Sequence, residues 1–132
     1  LLTPTRLYVK SCLAAIASGG IKALAHITGG GLLENIPRVL PEGCAVEIDA
    51  RAWALPPVFA WLMRQGNIEA LELARTFNCG IGMIAIGSPD KLQIIKQTFE
   101  KHGETVLSIW RVIESAGATR TTLLNAETRW PG

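Results

Sequence analysis

The stretch AHITGGGLLENIPRVLP, residues 25–41, decides the reading of this chain. An apolar run over 22–27 predicts a short strand leading into three consecutive glycines, Gly29, Gly30 and Gly31. Beyond them Leu32, Leu33, Ile36, Val39 and Leu40 return at helical spacing, and Pro37 is expected to kink or shorten that helix. A strand, a glycine loop and a helix in succession let backbone N–H groups converge on an anion, for which phosphate is the natural ligand. The triplet has neither the GxGxxG spacing of a dinucleotide fingerprint nor the terminal Lys-Ser/Thr of a P-loop. Two readings therefore stand side by side: an anion nest, or a tight turn where helix and strand approach closely.

The polar residues around the triplet sharpen the question. In an extended segment His26 and Thr28 point to the same side, so both can face one pocket. A neutral imidazole and a hydroxyl can each donate to an anion or an amide. The plainer alternative for His26 is a satisfied core histidine at a strand end. Glu34 and Asn35 fall on the first helical turn. Glu34 opposes a phosphate directly beside it unless a cation intervenes, which makes Asn35 the better ligand contact and Arg38 a surface charge.

Two further segments carry candidates. TPTRLYVK, residues 3–10, sets Arg6 and Lys10 four apart, a spacing that shares one helical face and offers charge to an acidic substrate. The pattern alone favours an ordinary solvated helix start. TFNCG, residues 76–80, places Asn78 just before the most apolar strand, either to order the turn or to face a cleft. Cys79 has no histidine nearby in sequence and reads as a core or wall thiol. Asp49, Asp90 and Glu104 form no paired-carboxylate arrangement.

Outward from the triplet, the periodicity predicts a helix over 8–18, closed by Gly19 and Gly20. Alternation over 44–49 predicts a strand covered mainly on one face. Pro56-Pro57 opens a helix with Val58, Trp61 and Leu62 on one side, followed by a shorter helix over 68–75. GIGMIAIG, residues 80–87, reads as a central strand covered on both faces. Ser88-Pro89-Asp90 caps a helix with a buried stripe of Leu92, Ile95 and Phe99. Residues 105–113 and 121–124 read as strands. The order predicts a single α/β domain over 1–132: a two-layer sandwich of a mixed sheet with helices packed on it.

Composition limits the function classes. The 132 residues suit one domain able to bury roughly two thirds of its unfolded surface. Thirteen basic and eleven acidic side chains give a net charge of +2, scattered along the chain, which argues against a nucleic-acid partner. No apolar run reaches membrane-spanning length and nothing resembles a signal peptide, so no membrane partner is expected. Cys12, Cys44 and Cys79 are odd in number and read as buried thiols of a reducing, cytoplasmic compartment. With His26 and His102 far apart, no metal ligand set is expected. The chain opens on Leu1 without a methionine and ends on ETRWPG, so a fragment or excised domain is expected, with part of any active site on missing sequence.

LLTPTRLYVK, IKALAHITGGGLLENIPRVLPEG, WALPPVFAWL and RTFNCGIGM, in this order, resemble the C-terminal domain of the phosphoribosylformylglycinamidine cyclo-ligases, the aminoimidazole ribonucleotide synthetases. The likeness runs from about residue 1 to 112. The wider superfamily includes phosphoribosylformylglycinamidine synthase, selenophosphate synthetase, thiamine-monophosphate kinase and a hydrogenase-maturation protein. Two departures are visible: Trp110 stands where the family typically has glycine, and the ETRWPG tail is unfamiliar.

The resemblance implies an ATP-dependent ligase of purine biosynthesis that closes formylglycinamidine ribonucleotide to 5-aminoimidazole ribonucleotide, releasing ADP and phosphate with Mg2+ present. A phosphorylated formyl oxygen becomes a good leaving group for attack by an amidine nitrogen. It implies a preceding N-terminal domain that forms most of a homodimer core and supplies most ATP and magnesium contacts. It assigns Gly29, Gly30 and Gly31 to the substrate phosphate with Thr28 and Asn35, His26 to the reacting group, Arg6 and Lys10 to ordering phosphate, and Asn78 to the cleft wall. On its own the chain is then expected to be inactive and to expose an apolar interface. The alternatives are another superfamily enzyme, such as phosphoribosylformylglycinamidine synthase, or a non-catalytic interaction domain.

Overall fold

The computed structural model describes residues 4–118 and 120–130. The head of LLTPTRLYVK, the Pro-Gly end of the tail and the side chain of Trp110 lie outside the described residues. The elements run α1 (Val9–Ala17), β1 (Ile21–His26), α2 (Gly31–Asn35), β2 (Cys44–Asp49), α3 (Pro57–Gly66), α4 (Ala70–Thr76), β3 (Met83–Gly87), α5 (Leu92–Lys101), β4 (Trp110–Glu114), β5 (Thr121–Leu124) and α6 (Ala126–Arg129). Short 3-10 turns at Pro37–Val39, Ala50–Ala52 and Pro89–Lys91 link them. Pro37 ends α2 after five residues, because it has no N–H to continue the ladder.

The strands form an α/β arrangement with helices packed on mixed and antiparallel pairings. β1 and β3 pair antiparallel, with His26 opposite Met83. β2 lies between β4, antiparallel to it, and β5, parallel to it. The first pair is covered on both faces, and its residues divide by strand alternation. Ala25, Ile84 and Ile86 enter the main core with Leu32, Ile36, Val46, Ile48, Leu73 and Trp130. Leu24, Met83 and Ala85 face a smaller cluster in which α1 and α5 contribute Cys12, Ala15, Ile95 and Phe99.

The structure corrects several expectations. The segment 80–87 is covered on both faces, but its strand begins at Met83 and pairs only with β1 among the described residues, so it is not central. The strand expected over 105–113 starts at Trp110, where pairing with Ile48 of β2 begins. Leu92 is exposed because it stands at the first position of α5, short of the helix that covers Ile95 and Phe99. On α3 the buried side chain is Met63, with Trp61 exposed. Ser88 precedes the helix without a side-chain cap bond. Val9, Leu13 and Ile16 form an exposed apolar face on α1, and no described helix is long and apolar enough to cross a membrane.

Candidate functional site

Antiparallel pairing explains why motifs far apart in sequence meet. β1 ends where β3 begins, and the Ile27 N–H donates to the Gly82 carbonyl at 2.9 Å. The glycine loop that follows β1 therefore lies beside the Asn78–Gly82 turn that precedes β3.

The three glycines do different things. Gly31 has φ +55°, and its N–H donates to the Thr28 carbonyl at 3.0 Å, closing a turn. A Cβ there would run into the carbonyls of Ala74 and Phe77 at the end of α4, so the close-approach reading holds for this residue. Gly30 is left-handed at φ +93°. Gly29 faces open space, with nothing within 4 Å of a Cβ built on it.

Asn35 orients the loop. It is 7% exposed, and its Nδ2 donates to the carbonyls of Gly31 at 2.9 Å and Gly29 at 3.0 Å, with Thr28 at 3.4 Å. Its Oδ1 accepts from Arg38 at 3.4 Å. In a planar trans peptide the N–H points opposite to the C=O. Turning the Thr28 and Gly29 carbonyls inward to Asn35 thus turns the Gly29 and Gly30 N–H groups outward. Neither of those amides has a partner among the described residues. Asn35 acts behind the loop, with its amide engaged by the loop carbonyls. Glu34 lies on the Gly30 side, where its Oε2 would be 2.9 Å from a Cβ at Gly30. The open side for an anion is therefore at Thr28, which is exposed, and Gly29.

His26 is exposed at the end of β1, and its ring and that of Tyr8 meet in a T-shaped contact with centroids 5.8 Å apart and planes at 69°. Tyr8 immediately precedes α1, and its carbonyl accepts from the Cys12 N–H at 2.9 Å and the Ser11 hydroxyl at 3.0 Å. Burial, then the Glu104 carboxylate, pushes its phenol pKa above the ordinary value. Arg6 binds Glu104 through Nε at 2.7 Å and the Gly103 carbonyl through Nη2 at 2.8 Å. Because α1 begins at Val9, Arg6 lies outside the helix and shares no helical face with Lys10, which is exposed in its first turn. Asn78 orders its turn, its Oδ1 accepting from the Gly80 N–H at 3.0 Å.

A cleft of about 380 Å³ opens beside this cluster. Every residue of 80–85 lines it on one side and 103–107 on the other, with Arg6, Tyr8 and Phe99 at its walls. Successive strand residues can all line a cleft only along a strand's edge, so it follows the β3 edge that β1 leaves unpaired. Its volume lies in the range of small-molecule sites. Sequence reasoning passed over Tyr8 and Glu104 as site residues; only the long-range contacts of Arg6 and the glycine at position 82 betray them.

Two titratable groups elsewhere serve the fold. Cys79 is buried, its thiol pushed up to about 12 by desolvation, and its carbonyl accepts from Trp53 Nε1 at 2.9 Å. Asp49 is held well below the usual carboxylate range by hydrogen bonds from the Arg51 side chain and backbone, with Asn125 adding another. Among the described residues no three of His, Cys, Asp and Glu converge.

The family model described as "AIR synthase related protein, C-terminal domain" matches residues 1–122. Among solved structures, the chain is similar to E. coli HypE, a hydrogenase maturation protein, at 18% identity and a TM-score of 0.70, over 96% of this chain and 39% of that one. Another crystal structure of E. coli HypE gives a TM-score of 0.67 at 18% identity, over 92% and 37% of the two chains. The chain thus spans well under half the length of these neighbours, and at this identity the likeness is one of fold.

Proposed function

Since the chain belongs to the family of AIR synthase related C-terminal domains, we propose that it is one domain of an ATP-dependent enzyme and binds the phosphate of a ribonucleotide substrate. The observation that carries this reading is the Asn35 clamp, which turns the Gly29 and Gly30 amides outward beside the Thr28 hydroxyl. Backbone donors fixed before the ligand arrives need no rearrangement on binding. The Glu34 carboxylate on the other flank keeps the anion on the Thr28–Gly29 side.

The reaction we propose is the cyclo-ligase ring closure of formylglycinamidine ribonucleotide, on the strength of the HITGGGLLENIPRVLP string. In it this chain holds the substrate phosphate, His26 makes a polar contact near the reacting group, and Asn78, Arg6 and Lys10 shape and charge the surrounding wall. ATP and Mg2+ contacts are assigned to a companion domain, and the working enzyme to a cytoplasmic homodimer. A second reading, a different member of the same family, draws on the fold likeness to the hydrogenase maturation protein.

Titration of the 15N-labelled chain with inorganic phosphate and with ribose 5-phosphate tests the site. Shifts centred on the Gly29 and Gly30 amides are expected; shifts that avoid both would remove the phosphate assignment. Turnover of formylglycinamidine ribonucleotide by the chain joined to its companion domain separates the two readings of the reaction.

A further inference from the structure

We propose that Tyr8 is the positioning residue of this site: its ring fixes the His26 imidazole at the end of β1, between the glycine loop and the cleft. The proposal rests on the phosphate reading above. The exposed His26 imidazole makes no hydrogen bond to the described residues, so the edge-on contact with Tyr8 is what restricts its ring.

Tyr8 is itself anchored on both sides. Two residues earlier, Arg6 grips Glu104 and the Gly103 carbonyl. On the other side the Tyr8 carbonyl receives the first bonds of α1 from Cys12 and Ser11. Between these anchors the ring lies flush against the backbone at Gly82, just before β3, where any Cβ would collide with the phenol oxygen. Glycine at 82 is therefore what admits the ring. Gly82 is also the residue whose carbonyl receives the Ile27 N–H, so the ring, the start of the loop and the mouth of the cleft are tied to one peptide. Burial and Glu104 keep the phenol neutral through physiological pH, so the contact with His26 does not change with its ionisation.

The test reads the His26 ring-proton resonances and the affinity for formylglycinamidine ribonucleotide in the 132-residue chain. Tyr8→Leu is expected to move the His26 resonances toward those of a free histidine and to weaken ribonucleotide binding roughly three- to tenfold, the scale of immobilising one side chain, while inorganic phosphate affinity is unchanged. Tyr8→Phe keeps the ring and is expected to preserve both. Unchanged His26 resonances in Tyr8→Leu overturn the proposal. So does full ribonucleotide affinity in that variant when His26→Ala has lost it. Should Tyr8→Leu fail to fold, Gly82→Ala, which displaces the ring from its seat, is expected to give the same His26 shift, and its absence counts against the proposal. A wild-type chain whose Gly29 and Gly30 amides ignore phosphate removes the function reading instead, and the His26 resonances then decide alone whether Tyr8 positions the imidazole.

Discussion

The side-chain amide of Asn35 holds the carbonyl oxygen of Gly29 at 3.0 Å, six residues back along the chain. One buried amide thereby sets the direction of two peptide planes. Asn35→Ala leaves three loop carbonyls without this donor and is expected to destabilise the fold by about 2 kcal/mol. It should also abolish the ordered amide response to phosphate. Denaturant melts with matched phosphate titrations check both, and a variant that keeps its affinity would show that the loop holds its shape unaided.

Gly29 and Gly31 are expected to respond oppositely to a methyl group. Gly31→Ala must push into the Ala74 and Phe77 carbonyls at a left-handed φ, with an expected loss of at least about 2 kcal/mol. Gly29→Ala meets open space and is expected to fold normally while crowding the anion. Thermal melts compare the two; equal losses of stability would contradict the division of labour.

Glu34 sets a carboxylate against the loop. Glu34→Gln removes its repulsion and is expected to tighten phosphate binding about two- to fivefold at low salt, an effect that added salt should erase. Calorimetric titration at two ionic strengths measures it. A weaker complex would mean that the carboxylate supports the site, for instance through a bound cation.

The Cys79 thiol gives the fold an alkaline signature. Its folded pKa is raised to about 12 from a reference of 9.0. A proton held more tightly by the folded state adds nothing to the pH slope below 9. Between 9 and 12 it makes stability fall as pH rises, by up to about 1.4 kcal/mol per unit. Comparing Cys79→Ala with the wild type from pH 8 to 10.5 should show a shallower decline in the variant; parallel curves would place the thiol in a wetter setting.

Local chemistry made much of this legible in sequence. Strand 44–49 follows from alternation, and Pro37 and the Gly19-Gly20 pair mark their breaks because backbone rules act without tertiary context. Residues 105–109 have the composition of a strand, yet ladder pairing begins only at Trp110, since pairing depends on where a partner lies. The loop was equally visible as glycines, but the inward amide of Asn35 was not. Position on a helical turn does not say whether a polar side chain faces a ligand or its own backbone. Tyr8 was hidden for a related reason: its partners His26, Gly82 and Glu104 come from three distant segments.

Trp130 is 1% exposed and meets Trp53 edge-on, with ring centroids 5.3 Å apart, yet it stands eight residues past the end of the family match at 122. Leu123 and Ala126 are buried in the same core. The stretch that the family model matches is therefore shorter than the stretch that packs together. A boundary drawn at the end of the match would cut through the interior, leaving a vacancy the size of an indole. Where the match ends and where cooperativity ends are two separate coordinates of this domain.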